Sequence, residues 1–329
     1  MATLGATLLT LADIAKTWDP DGKPARIAAL LSQRSAMLAD MRFQEGNLPT
    51  GHRITQQTGL PTAYWRLLNK GVPNSKSTTA QVDEQIGMLF TRSQVDEDMA
   101  NLNGNVSAYR MQQAGPFMEA MNQEMQQTVI YGAASAPEEF IGLAARYSSL
   151  SGGNAENILN AGGTGSDNSS VYLVGWGIDG CMGIYPKGSK AGLEHADLGL
   201  ADAFDSDNNR YRAYMDQWKW KCGIALMDWR YVVRICNIDV SNLVAQASAA
   251  DLISLMIKAT HRIPFMQLVT PVFYMNRTCF QMLDIQRRDD VIVGGGLRYD
   301  NADGILVPTF RGIPVRVVDA LLETEATVS

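Results

Sequence analysis

Hydrophobic positions along this chain change their spacing several times, and each change predicts a different element. Within residues 1–45, Ile27, Leu30, Leu31, Met37, Leu38 and Met41 recur three and four apart, which lines one helical face. Thr10 followed by Asp13 predicts a capped short helix ending near Trp18, and Pro24 suits the first turn of the next. One apolar stripe with little local surface to cover it predicts an arm that lies on something else. Across residues 46–100, Gly46, Pro49, Gly51, Gly59, Pro61, Gly71 and Pro73 break any long period, and Ser75–Thr79 forms a polar tip. Strands are expected around Ala63–Leu68 and Gln85–Thr91, giving a long β-hairpin excursion. A lone two-stranded hairpin is marginal in water and needs a neighbour.

From Ser107 to Tyr131 the residues Met111, Ala114, Met118, Met121, Met125 and Val129 step by three or four, the pattern of a long helix with a core-facing stripe. Gly115 and Pro116 interrupt it, and proline there predicts a kink or a later start. Residues 151–170, rich in Gly, Ser and Asn, predict a surface loop. Val171–Trp176 is apolar on both faces. Tyr214, Trp218, Trp220, Cys222, Ile224 and Leu226 then alternate with polar residues, the period of a half-exposed strand of unusual length. Ser248 with Asp251 opens a helix through Leu252, Leu255, Met256 and Ala259. Pro271–Met275 is a buried strand, and Asn276 caps a helix through Phe280 and Leu283. Ile305–Phe310 and Ile313–Val318 alternate about a turn at Gly312. This mixed order predicts an α+β class.

Charge and chemistry narrow the function. The net charge is −6, and Lys187 with Lys190 and Arg287 with Arg288 are the densest basic pairs, too sparse to grip duplex DNA. Cys181, Cys222, Cys236 and Cys279 are scattered without metal or disulfide spacing, so buried thiols are expected. His52, His195 and His261 lie far apart with no nucleophile motif, and no catalytic residue is expected. Asp202, Asp205 and Asp207 lack the glycine and distal Glu of a calcium loop, and Gly294–Gly296 lacks the strand–turn–helix setting of a phosphate cradle. No cofactor or metal is expected. No stretch of 18 apolar residues spans a membrane, and the N-terminus lacks the pattern of a signal peptide.

An arm, a hairpin excursion, a long helix, a long-stranded region and a compact end, in that order, resemble the Hong Kong 97-type fold of tailed-bacteriophage major capsid proteins. Short segments carry the resemblance further. PEEFIGL from Pro137 to Leu143 resembles the segment after the family's spine helix, PVFYMNRT from Pro271 to Thr278 a strand and helix start, and RGIPVRV from Arg311 to Val317 a late strand. The resemblance implies an N-terminal arm at 1–45 and an extended loop at 46–100. It further implies a peripheral domain at 101–245 with its spine helix at 107–131, an axial domain at 246–322 and a tail at 323–329. One departure is that the long-stranded material of residues 211–239 precedes the axial part. A rearranged element order is therefore expected, as in short-tailed phages of the Bordetella phage group.

The implied function is a shell subunit, not an enzyme, that forms pentamers and hexamers with its own copies around double-stranded DNA. It would be assembled in the host cytoplasm and end in the virion, meeting scaffolding, portal and cement proteins made separately. Inter-subunit contacts are expected from Trp65, Leu67 and Leu68 on the hairpin and from Ile27, Leu31 and Leu38 on the arm. Deleting residues 62–90 is expected to leave a folded protein that does not assemble. Lys70 and Lys76 lie where some family members form isopeptide crosslinks, but no motif identifies their partners. Two other functions fit the residues, a nanocompartment shell of the encapsulin kind and a small-molecule hydrolase with a site assembled in space.

Overall fold

The structure, a computed structural model, describes residues 36–102, 105–205, 207–246, 248–289, 297–302 and 305–329. The expectations for Thr10, Pro24, Ile27, Leu31 and Gly294–Gly296 lie outside the described residues. In chain order the first elements are α1 (Ala36–Asp40), β1 (Phe43–Glu45), β2 (Gly51–Gly59), β3 (Thr78–Gln85) and β4 (Gly87–Asp96). Helices α2 (Glu97–Asn101), α3 (Val106–Tyr131) and α4 (Leu143–Arg146) come next. Strands β5 (Ile158–Asn160), β6 (Asn168–Trp176), β7 (Cys181–Tyr185), β8 (Leu193–Phe204), β9 (Arg210–Leu226) and β10 (Val232–Asp239) follow. The chain continues through α5 (Val240–Ala245), α6 (Leu252–Thr260), β11 (Thr270–Met275) and α7 (Arg277–Asp289) to β12 (Leu297–Ala302), β13 (Ile305–Phe310) and β14 (Ile313–Val317).

The described residues divide into two units. The larger holds residues 36–87, 126–191 and 221–329; the smaller holds most of 88–125 and 192–220. Helix α3 and strand β9 each run on from one unit into the other.

In the larger unit β6 is the central strand. It pairs antiparallel with β11, from Thr270 opposite Trp176 to Tyr274 opposite Tyr172, and antiparallel with β10. All nine of its residues are buried, so the apolar run reads as continuous instead of alternating. Strand β11 pairs parallel with β14, and β13 folds onto β14 through Arg311 and Gly312. Both turn residues take positive φ, 53° and 79°, which a two-residue hairpin of this kind requires. Helices α6 and α7 lay Leu252, Met256, Cys279 and Leu283 against Leu173, Val233, Ile235 and Phe273 in one core. Asn276 accepts from the Cys279 N–H at 2.7 Å, the expected cap. Helix α6 is capped by Asp251, at 2.9 Å from the Ser254 nitrogen, and not by Ser248.

A buried ion pair ties the last residues into this sheet. Arg234 donates to Glu325 at 2.8 Å and to the Tyr147 carbonyl at 2.8 Å, while Tyr131 and Ser170 donate their hydroxyls to Glu325. Burial and the Glu325 charge hold the Tyr131 phenol far above its ordinary range. Asn237 grips Val328 in both directions, at 2.8 and 2.9 Å. Residues 323–329, expected as a tail, are thus strapped to the sheet.

In the smaller unit β8 and β9 form a long antiparallel hairpin, from Leu193 opposite Trp220 to Phe204 opposite Arg210, with a bulge between Asp197 and Gly199. Strand β4 lies on the other side of β9. Val95, Ala100 and Tyr109 form the unit's small core.

Several expectations are corrected. Helix α3 starts at Val106 and continues through Pro116, with Gly115 and Pro116 on its exposed side. The stripe is core only from Met121 onward, with Met121, Met125 and Val129 at 3, 2 and 0% exposure, whereas Met111 and Met118 face solvent. Residues 151–170 include the sheet strand β5 and the buried Asn157, which donates to the Arg230 and Val232 carbonyls. The segment 211–239 is split: its start is in the smaller unit, but β10 shares the core of α6 and α7.

Candidate inter-subunit surface

The hairpin is real, but its strands are the polar segments and its apolar residues form the loop. Strands β2 and β3 pair antiparallel from Gly51 opposite Gln85 to Gly59 opposite Thr78. Ala63–Leu68 is not a strand; it belongs to the irregular stretch 60–77 that joins the two. Every residue from 60 to 83 is exposed. Trp65 is 103% exposed, Leu68 93%, Leu60 81% and Leu67 70%. Tyr64 and Val72 add to this surface.

Local hydrogen bonds give the loop its shape. The Lys70 N–H donates to the Leu67 carbonyl at 3.3 Å, and Asn69 takes a φ of 65°, as the third residue of a type II turn does. Leu68 therefore stands at a corner. Arg66 Nε donates to the Lys70 carbonyl at 2.8 Å, and Ser75 to the Thr62 carbonyl at 3.0 Å. Among the described residues nothing apolar covers this turn, since burying Trp65 or Leu68 would remove the exposure they show.

The root is held much more firmly. Ile54 is buried with Met182, Ile184 and Ala225. Asn47 brackets Arg53 in both directions, at 2.7 and 2.8 Å, and Gln56 donates to the Met227 carbonyl at 3.1 Å. Glu84 accepts both ends of the Arg146 guanidinium at 2.6 Å, with only 5% of its side chain exposed. Burial opposes the charge on Arg146, but the Glu84 hydrogen bonds and charge outweigh it and raise its pKa. A planar fork on a carboxylate fixes direction as well as distance. Gly51 is required here because a Cβ would stand 2.2 Å from the Glu84 carbonyl oxygen. Across the exposed strands Arg53 pairs with Asp83 at 2.6 Å. An anchored base thus presents an uncovered apolar tip.

The other residues singled out in the sequence are not brought together. Leu38 is buried in α1 at 9% exposure and offers a neighbour almost no side-chain surface. Ile27 and Leu31 lie outside the described residues. His52 accepts from the Asn47 N–H, His195 pairs with Asp216 at 3.0 Å and His261 lies beside Arg311. Asp205 accepts from the backbone of Asp207 and Asn209 and so shapes the turn after β8. The four cysteines are free and buried, and burial pushes the thiols of Cys181, Cys222 and Cys279 up to about 12. Among the described residues no helix is long and apolar enough to cross a membrane. The clamp residues Gln56, Glu84 and Arg146 carried no sequence signal, because their partners lie 62 to 171 residues away.

The family model described as Major capsid protein GP7 matches residues 19–329. Among solved structures, a chain of bacteriophage Epsilon15 determined by cryo-EM is 31% identical, with a TM-score of 0.75 over 100% of this chain and 99% of that one. The capsid of a native GTA particle is 7% identical with a TM-score of 0.48, over 70% of this chain and 99% of its own. The SrpI encapsulin of Synechococcus elongatus PCC 7942 is 9% identical with a TM-score of 0.45, over 70% and 96%. No curated protein sequence matches the chain. Since the family match runs from residue 19 to the last and the Epsilon15 likeness spans the whole length, this chain belongs to the major capsid protein GP7 family.

Proposed function

We propose that this major capsid protein builds its icosahedral shell from pentamers and hexamers of its own copies, each copy resting its hairpin loop on a neighbour. The observation that carries this is the loop itself. Leucines and a tryptophan held fully in water by a rigid root are favourable only once another surface covers them. Burying such side chains stabilises by about 1.5–3 kcal/mol each. The root lowers the ordering cost that opposes association. A single contact of this size is weak, but in a closing shell later contacts become effectively intramolecular and add up. Assembly in the host cytoplasm, scaffolding, portal and cement partners, and a non-catalytic role complete the proposal. The net charge of −6 suits a wall that encloses double-stranded DNA without gripping its sequence.

Sedimentation and negative-stain imaging of the recombinant chain test this. Closed shells or capsomers are the expected particles. A stable monomer that turns over ester or phosphate substrates would overturn the proposal in favour of the hydrolase alternative.

A further inference from the structure

The short helix α4, Leu143–Arg146, lies between two buried ion pairs of the larger unit. From its last residue the Arg146 guanidinium reaches the hairpin root, where both ends donate to Glu84 at 2.6 Å. The carbonyls at the end of a helix have no partner within it. Arg234, from β10, supplies the donor here: one guanidinium nitrogen donates to the Ala144 carbonyl at 3.2 Å and to the Tyr147 carbonyl at 2.8 Å. Its other terminal nitrogen donates to Glu325 at 2.8 Å, and its Nε to Ser170 at 3.1 Å. Glu325 also accepts from the hydroxyl of Tyr131, the last residue of α3, and the Tyr131 oxygen accepts from the Leu322 N–H at 2.9 Å. The side chains of Glu84, Arg234 and Glu325 are each 5% exposed, so water is a poor substitute for a lost partner.

These contacts form one unbroken series from β3 to the end of the chain. Arg234 can aim its donors at α4 only while Glu325 balances its buried charge. Without that carboxylate the cation must turn toward another acceptor or toward water. Helix α4 then loses the donor at its end, and Arg146, rooted in that helix, no longer meets Glu84 squarely. We propose that Arg234 is a positioning residue for the hairpin. Through α4 it couples the strap of residues 322–329 to the hairpin root, so that Glu325 sets the direction of the loop together with Glu84. The coupling is reciprocal: each carboxylate stabilises the other's site by the same factor. What carries it is a helix shared by both ion pairs, a physical link and not mere nearness. It is internal to one copy and does not depend on what covers the loop tip.

Hydrogen exchange and chemical denaturation of the full chain test this with Glu84→Gln, Glu325→Gln and the double variant. Glu325→Gln is expected to speed exchange at the hairpin root, at the Arg53 and Ile86 amides that donate to Asn47 and Thr50. Glu84→Gln is expected to speed it in the strap, at the Leu322, Glu325 and Val328 amides. Each rise should be about fivefold beyond any change in the α6 amides, which report global stability. The double variant should lose about fivefold less in its folding equilibrium than the two single losses multiplied. Exchange that quickens only at the substituted end, with losses that multiply, overturns the coupling. Asp83→Asn, beside Glu84 but outside the series, should leave the strap unchanged; a faster strap there would mean general loosening and would also overturn it. Should Glu325→Gln fail to fold, Tyr131→Phe removes one donor from Glu325 and keeps its charge. Faster hairpin-root amides are expected in that variant too, and unchanged ones overturn the proposal.

Discussion

Strand β6 and the loop between β2 and β3 have similar side chains, SVYLVGW at 170–176 in one and AYWRLL at 63–68 in the other. All nine residues of β6 are buried, with β11 on one side and β10 on the other. Every residue of the loop is exposed, although its root is fixed by a fork of two 2.6 Å hydrogen bonds. Apolar sequence states that a surface will be covered; it does not state by which molecule. In β6 the cover is the chain's own sheet. On the loop the described residues supply no cover, and the proposed cover is another copy.

Substitutions can break each side of this comparison. The largest effect is expected behind β6, where Glu325→Ala leaves the Arg234 charge buried and unpaired. It should cost about 3–5 kcal/mol in chemical denaturation. Glu84→Gln at the hairpin root weakens the fork on Arg146 and should cost about 2–3 kcal/mol, with assembly impaired as the loop loses its direction. Trp65→Ala should change subunit stability by no more than about 0.5 kcal/mol, because the residue touches little in its own chain, yet it should sharply reduce shell yield in imaging. The smallest effect is expected at Asp83→Asn, an exposed partner of Arg53. The Arg53 hydrogen bond holds the Asp83 carboxyl below its ordinary range. Its small stabilisation is present above the unfolded aspartate value and lost as pH falls through the folded one, so wild type and variant should converge in acid melts.

The same contrast explains what could be read from the sequence. Strands β6, β11, β13 and β14, the Asn276 cap and the Gly312 turn were legible because their hydrophobic pattern and turn chemistry act locally. Strands β2 and β3 were misplaced because RITQQTG and TTAQVDEQ carry few apolar residues. Their ladder is backbone hydrogen bonding, while the apolar residues sit in the loop and imitate a strand. Strand β8, LEHADLGLADAF, stayed hidden behind its acidic residues and the bulge glycine Gly199. Met111 and Met118 keep helical spacing with the core methionines, and spacing alone does not separate a stripe facing its own core from one facing solvent. For the site, Trp65, Leu67 and Leu68 were legible as apolar residues without local partners. The clamp that presents them was not, because it joins segments far apart in the chain.

Replacing residues 60–77 by a two-residue turn, which keeps the β2–β3 ladder and the Glu84–Arg146 fork, tests the central claim most directly. Sedimentation velocity and thermal melting would be measured on the same sample. A subunit that melts as the intact chain does but sediments without shells is predicted. Shells of normal size and yield from this variant would contradict the account.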